Sequence, residues 1–152
     1  MSINAKLEFE GNVSKFLSLA STETLINLDK DLLSAAYSID ATAKKEISSG
    51  TRTGKEYKRG RSGKRGRRSA PSEYPKSDTG SLVRSIRVKQ QDFLEVEVGS
   101  TVHHGEFLES GTVFMESRPW LEPSFDKEIP KLNSKVKPSI GKAFQIAHNK
   151  AR

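Results

Sequence analysis

The sequence predicts an α+β fold, with a long N-terminal helix packed on a small antiparallel β-sheet, C-terminal helices and a basic extended loop. Three observations lead to this class. Apolar residues recur every three or four positions before residue 50, later strands follow each other without intervening helices, and one segment combines glycines with dense positive charge. The chain has 152 residues, so we expect a single domain over 1–152, with a basic Gly-rich arm inserted at 51–77.

The N-terminal part predicts a strand followed by helices. Apolar and polar residues alternate over 3–9, which is the pattern of a half-buried strand, and the spacing over 13–19 suits one or two helical turns. Ser21 or Thr22 offers an N-cap for a longer helix that ends near Gly50. Its apolar stripe consists of Leu25, Leu28, Leu32, Ala36, Ile39, Ala43 and Ile47.

The part after the arm predicts an extended stretch, a short helical turn and a hairpin. Prolines fix residues 69–75 in an extended conformation, and Asp78 is placed to cap a turn that runs through Leu82. Alternation over 85–98, interrupted at Gln90–Asp92, predicts two antiparallel strands.

The C-terminal part predicts three helices. A short helix over His103–Ser110 should stop at Gly111. A second should run from about Pro123 to Leu132, and a third from Ile140 to His148 after Pro138.

Composition excludes several classes of protein. The chain has no cysteine, which rules out disulfides, a thiol nucleophile and Cys-ligated metals. No apolar run approaches the roughly 18 to 20 residues of a membrane span, and residues 1–8 do not have the pattern of a secretory signal, so a cytoplasmic chain is expected. Only 34% of residues are hydrophobic and mean hydropathy is -0.63, so we expect a partner or self-assembly.

The positive charge is concentrated in the arm. Residues 52–68 hold nine basic side chains and one acid, Glu56, for a local charge of +8; the whole chain carries +7, so the remainder sums to -1. The basic residues are Arg52, Lys55, Lys58, Arg59, Arg61, Lys64, Arg65, Arg67 and Arg68. Four glycines interrupt them and like charges repel, so the arm is predicted to be an extended loop unless a partner orders it.

Three interpretations of the arm stay open. Arg and Lys on a pliable backbone can neutralise phosphates without recognising a base sequence, they can dock on an acidic protein surface, or they can form a solvated loop. Only Tyr57 and Tyr74 lie near the run, which disfavours binding of single strands by base stacking.

The tripeptide Asp78–Thr79–Gly80 matches the active-site motif of aspartic proteases, in which two carboxylates share a proton. One copy would require a homodimer, and the preceding residues 74–77 are polar and interrupted by proline instead of forming an apolar strand. A helix cap is the simpler interpretation of Asp78.

A metal site is also disfavoured. The potential ligands His103, His104, Glu106 and Glu109 lie close together, but adjacent histidines diverge and no pair has the i, i+4 spacing of ligands on one helix face. No Gly-x-Ser-x-Gly nucleophile motif is present. We therefore predict no enzymatic activity, no metal and no cofactor.

Four short motifs follow one another between residues 69 and 125. They are the Ala70–Pro71 segment, Asp78–Thr79–Gly80–Ser81–Leu82 with Ser85–Ile86, Phe107–Leu108–Glu109–Ser110–Gly111–Thr112, and Arg118–Pro119–Trp120–Leu121–Glu122–Pro123–Ser124. In this order, around a hairpin, they resemble the tail-completion or head-tail joining proteins of tailed bacteriophages. The chain departs from that family at His104–Gly105, where Tyr-Ala is usual, at Trp120, where Phe is usual, and at Ser124, where Ala is usual.

The resemblance implies a structural virion protein of the phage neck, assembled in the host cytoplasm. It implies a cyclic homo-oligomer, with a hexamer expected from tail symmetry, between the head-closure or connector protein and the tail terminator or tube protein. Double-stranded DNA in the channel would be a possible partner of the arm, and no membrane is involved.

The resemblance also gives structural roles to Asp78, Gly80, Gly111, Pro119, Trp120 and Leu121. Asp78 and Gly80 would shape the entry to the hairpin, Gly111 would end a helix, and Trp120 and Leu121 would anchor the last helix. Some of Phe107, Phe114 and Trp120 would instead face a neighbouring subunit. The alternative function is a nucleic-acid-binding protein that uses the arm at 52–68.

Overall fold

The computed structural model of the chain describes residues 4–7, 22–59 and 64–150. These ranges form five strands and four helices: β1 Asn4–Leu7, α1 Thr22–Ser49, β2 Glu56–Arg59, β3 Lys64–Arg67, α2 Ser81–Ser85, β4 Ile86–Asp92, β5 Glu95–Ser100, α3 His103–Ser110 and α4 Glu122–Lys150. The α+β prediction is confirmed. The helical turns predicted at 13–19 lie outside the described residues.

The main sheet is antiparallel, in the strand order β1-β5-β4. The predicted hairpin is confirmed, and the alternation turns Ile86, Val96 and Val98 into the core, where they are fully buried. The turn between β4 and β5 holds Leu94 at φ 59, and Asp29 of α1 accepts a hydrogen bond from its N–H at 2.8 Å. The hairpin is thereby fixed to α1.

Helix α1 covers the inner face of the sheet, as its stripe predicts. Its buried residues are Leu28, Leu32, Ala36, Ile39, Ala43 and Ile47, whereas Leu25 is half-buried. Helix α4 packs along α1, where Thr42 donates a hydrogen bond to Glu128 Oε1 at 3.0 Å and Lys127 pairs with Glu46 at 2.8 Å. The two long helices and the sheet therefore enclose the core.

The C-terminal segment is one helix, so the prediction of two separate helices is wrong. Pro130 and Pro138 both lie inside α4 and both are exposed. A proline removes one backbone hydrogen bond and bends a helix, but on a solvent-facing side water can pair with the freed carbonyl. The helix therefore continues through both positions.

Candidate interaction surface

Residues of three of the four sequence motifs, together with Tyr74 from the segment after Ala70–Pro71, converge on one packed group, which we call the motif cluster. It consists of Tyr74, Leu82, Ser85, Gly105, Glu109, Trp120, Leu121 and Ser124. The cluster joins the ends of the hairpin, α3 and the start of α4. The tip loop described below follows directly after α3, one of the helices that the cluster holds.

Trp120 is the centre of the motif cluster and is 0% exposed. Its indole N–H donates to the Gly105 carbonyl at 2.9 Å, and Ser124 Oγ donates to the Trp120 carbonyl at 2.6 Å. The expected role as an anchor of the last helix agrees with this placement. The alternative, that Trp120 faces a neighbouring subunit, is wrong because the ring is enclosed within its own chain.

Gly105 allows a close approach between α3 and the sheet. A Cβ atom at this position would lie 3.0 Å from Ser100 Oγ and 3.2 Å from a methyl carbon of Leu82. The Ser100 hydroxyl is in turn 2.7 Å from that of Ser85. Helix α3 can therefore pack directly on the sheet, which brings Glu109 to the start of α4.

Glu109 caps the N-terminus of α4 from another helix. Its carboxylate accepts hydrogen bonds from the backbone N–H groups of Trp120 at 2.7 Å, Leu121 at 2.9 Å and Glu122 at 2.9 Å. The first N–H groups of a helix have no partner within it, and a negative charge is favourable there. Glu109 was considered above as a metal ligand, and this cap gives it a structural role instead.

The short helix α2 begins differently from the prediction. Its N-cap residue is Gly80, at φ 74, so the prediction that Asp78 occupies the cap position is wrong. The left-handed conformation favours glycine at this position. Thr79 Oγ1 accepts a hydrogen bond from the Ser81 N–H at 3.3 Å and supports the same turn.

Residues 111–115 form the first surface segment, which we call the tip loop. Gly111 ends α3, as predicted, at φ 78, and a Cβ there would lie 2.9 Å from the Met115 carbonyl oxygen. Thr112 and Met115 exchange two backbone hydrogen bonds of 2.7 and 3.1 Å. Val113 and Phe114 form the apex and are 95% and 98% exposed. Exposed turns normally hold Gly, Asn, Asp or Pro, so two large apolar residues at this apex are unusual.

The arm forms the second surface segment, an antiparallel two-stranded ribbon of β2 and β3. We call these two strands, together with the flanking residues Lys55 and Arg68, the basic ribbon. The prediction of an extended loop is wrong. Glu56 and Arg67 face each other across the ribbon and form a 3.0 Å ion pair. Gly66 stands opposite Tyr57, and a Cβ there would be 3.2 Å from the ring. A glycine that was interpreted as an interruption thus makes room for an aromatic cross-strand neighbour.

The two faces of the basic ribbon differ. On one, Arg68 and Lys76 lie over the Tyr57 ring, 5.4 and 5.6 Å from its centroid. On the other, Lys58 and Arg65 are directly opposite each other and both exposed. Like charges in such a pair repel, so this face favours an anion between them.

Arg52 was predicted to belong to the contact residues of the arm, but the structure places it at the end of α1. Its guanidinium donates to the carbonyls of Glu46 at 2.9 Å, Ile47 at 2.8 Å and Pro75 at 3.3 Å. Burial lowers the pKa of Arg52, opposed by the nearby carboxylates of Glu73 and Glu46. Arg52 therefore completes the C-terminus of α1, where the last carbonyls need donors.

Glu73 fixes the return of the chain from the ribbon. Its carboxylate accepts hydrogen bonds from Thr53 Oγ1 at 2.5 Å and from the Ala70 N–H at 2.7 Å. These bonds, led by that from the Thr53 hydroxyl, lower the pKa of Glu73. Both ends of the ribbon are consequently tied to the body near α1.

A cleft of about 720 Å³ lies between the basic ribbon and the tip loop. Tyr57, Arg68 and Lys76 line one side, and Phe114 and Arg118 line the other. The ribbon, the cleft and the tip loop together form the candidate interaction surface. Its cations and exposed apolar groups suit binding to a macromolecule.

Apart from Arg52, the sequence-predicted contact residues divide into three groups. Lys55, Lys58, Arg65, Arg67 and Arg68 are exposed on the ribbon. Arg59 and Lys64 are paired by backbone register, and Arg61 lies outside the described residues. Sequence reasoning missed the tertiary cap by Glu109, for which no local pattern exists.

None of the helices in the described ranges is both long and apolar enough to cross a membrane. No protein-family model, no curated protein and no solved structure matches the chain.

Proposed function

We propose that the chain is a structural, non-enzymatic subunit of a bacteriophage neck, where copies form a ring around the DNA channel and join the head connector to the tail terminator or tube. The observation that supports this most is the motif cluster. Residues of three of the four motifs that resemble the joining proteins pack together, and they hold α3, the helix that leads directly into the tip loop. Their residues act in folding and positioning, as a joining subunit requires.

The outward surface supports the same proposal. A ring subunit needs contacts to copies of itself and to the rings above and below, and exposed large apolar residues are typical of protein contact sites. Val113, Phe114 and the half-exposed Phe107 provide such groups. The basic ribbon provides a charged contact to an acidic neighbour or to DNA in the channel.

Complementation tests this function. A phage whose gene for this chain is deleted should accumulate full heads and finished tails that are not joined, and addition of the purified protein should restore infectious particles. As a matched control, Trp120→Ala protein, in which the motif cluster is broken, should restore few. Joined, infectious particles formed without the protein would contradict the proposal.

The second candidate function, binding of nucleic acid by the ribbon, is favoured by the opposed Lys58 and Arg65. Duplex DNA binding should weaken with salt, with a log-log slope of about -0.9 for each phosphate contacted. A K58A and R65A double variant should reduce that slope by roughly 2. The matched control removes two exposed lysines of α4, Lys135 and Lys137, and should leave it unchanged. Undetectable binding of the wild type at low salt would exclude this candidate and assign the ribbon to protein contacts.

A further inference from the structure

The tip loop is held in one conformation by hydrogen bonds. Beyond its two backbone hydrogen bonds, Thr112 Oγ1 accepts one from the Phe114 N–H at 3.2 Å. Its base is held where the Arg118 N–H donates to the Leu108 carbonyl at 2.7 Å and Arg118 Nε donates to the Ser69 carbonyl at 3.1 Å. An apex that is already ordered loses little conformational entropy on binding. Val113 and Phe114 stabilise nothing within their own chain, because both are almost fully exposed.

A second surface feature, which mixes apolar and polar side chains, lies on α1, on the side turned away from its buried stripe. A shallow hollow of about 530 Å³ is lined by Lys30, Leu33, Ser34, Tyr37, Ser38 and Ala41. These positions follow the i, i+3, i+4 spacing of one helix face. Tyr37, at its centre, is 57% exposed. The hollow is therefore open to an apolar side chain from outside.

We propose that the tip loop of one copy of the chain docks in the α1 hollow of a second copy, with Phe114 against Tyr37. This inference rests on the proposed ring and names the contact between its subunits. The two features match in chemistry, because an aromatic ring and a Val side chain would cover Leu33, Tyr37 and Ala41, and aromatic pairs gain beyond the area they bury.

Charge at the edges of the two features also matches. Glu116, directly after the tip loop, is exposed and acidic, whereas Lys30, at the rim of the hollow, is exposed and basic. Opposite charges at a rim orient two partners. A tip-to-tip dimer would instead bring Glu116 near Glu116 of the second copy, and the repulsion of the two negative charges would cost free energy. The charges therefore favour tip loop on α1 over tip loop on tip loop.

The geometry of the pairing agrees with a ring. A contact between two different patches of identical chains is heterologous, and such contacts close into rings when the rotation per subunit allows. The tip loop follows α3 and the hollow lies on α1, so each copy offers one patch of each kind. Every copy can then donate a tip loop to one neighbour and accept one from the other.

Cysteine cross-linking tests the contact directly, because the natural chain has no cysteine. Phe114→Cys and Tyr37→Cys proteins are mixed in equal amounts and treated with a short bismaleimide, which tolerates more separation than a disulfide does. We expect a cross-linked dimer in the mixture at least ten times more abundant than with either variant alone. The F114C and Y37C double variant should give a ladder that ends at the ring size. The control pairs Tyr37→Cys with Phe93→Cys, since Phe93 is an exposed aromatic residue on the β4–β5 turn.

The outcomes separate this contact from the proposed function. The contact is overturned if Phe114→Cys protein cross-links with itself. It is also overturned if Tyr37→Cys gives no more cross-linked dimer with Phe114→Cys than with Phe93→Cys. If wild-type protein nevertheless sediments as an oligomer, the neck proposal stands and only the contact fails. If wild-type protein stays monomeric and is absent from the particle, both fail. Phe114→Ser should shift the wild-type oligomer to monomer with an unchanged circular-dichroism spectrum, because that residue contributes nothing to its own fold.

Discussion

Trp120 and Phe114 lie six positions apart in the sequence, in two regions that differ in burial. Trp120 is 0% exposed at the centre of the motif cluster, where its N–H and its neighbours are hydrogen-bonded. Phe114 is 98% exposed at the apex of the tip loop. One aromatic residue stabilises the fold, and the other is exposed and is the group that we propose contacts a second copy. Composition counts them alike, so only the structure separates the residues that build the subunit from those that connect it.

Substitution of the two aromatics should give the largest difference. Trp120→Ala removes a fully buried ring and leaves a cavity, and we expect the free energy of unfolding to fall by about 3–5 kcal/mol. Phe114→Ala should change it by less than about 0.5 kcal/mol. Urea unfolding followed by circular dichroism measures both values. Equal losses for the two variants would remove the distinction between the regions.

Arg52 and Lys58 extend the comparison to the basic residues. Arg52→Ala leaves the carbonyls at the end of α1 without their donor, and we expect a loss of about 1.5–3 kcal/mol, as for hydrogen bonds from charged groups. Lys58→Ala should leave stability unchanged, because the exposed side chain lies opposite another cation. The same unfolding titration checks both. A loss of stability for Lys58→Ala as large as that for Arg52→Ala would contradict the distinction between a structural Arg52 and an exposed Lys58.

Glu109 tests the cap that links α3 to α4. Glu109→Ala removes the acceptor for three backbone N–H groups, and we expect a loss of about 1–2 kcal/mol, the upper range for a helix cap. Glu109→Gln keeps an acceptor and should lose less. Glu106→Ala on the same helix serves as the control. In thermal unfolding, Glu109→Ala should lose the most stability, Glu109→Gln less and Glu106→Ala the least. A Glu109→Ala protein as stable as the wild type would contradict the stabilising role of the cap.

The smallest effect should be a pH dependence at the α1–α4 contact. Hydrogen bonds from Lys131 and Thr42 hold the pKa of Glu128 below its ordinary value, and burial opposes them. A carboxylate with a lowered folded pKa stabilises the protein above its unfolded pKa, and this contribution is lost as pH falls through the folded value. Between about pH 5 and about pH 3, wild-type stability should fall more than that of Glu128→Gln. Identical profiles for the wild type and Glu128→Gln would contradict the assignment.

Elements governed by local periodicity could be predicted from the sequence. The stripe of α1, the β4–β5 hairpin and the stop of α3 at Gly111 all depend on neighbours a few positions away. The basic ribbon could not be predicted in this way, because its strands lack apolar alternation and are paired through such contacts as Tyr57 opposite Gly66 and Glu56 opposite Arg67. The continuous α4 was missed since the effect of a proline depends on which side of the helix faces solvent.

The candidate site was predictable only in part. The arm is visible in the sequence as a concentration of charge, but the different position of Arg52 depends on tertiary contacts with α1. Apolar residues at Val113 and Phe114 are indistinguishable by composition from core residues. Their exposure becomes clear only once the two hydrogen bonds between Thr112 and Met115 place them at a turn.

The central claim is that this chain is a ring subunit at the junction of head and tail. Cryo-electron microscopy of the neck of the particle tests it most directly. We expect a closed ring around the channel, between connector and tail, into which the fold of α1, α4 and the main sheet fits. A complete neck with density for every ring and no copy of this fold would contradict it.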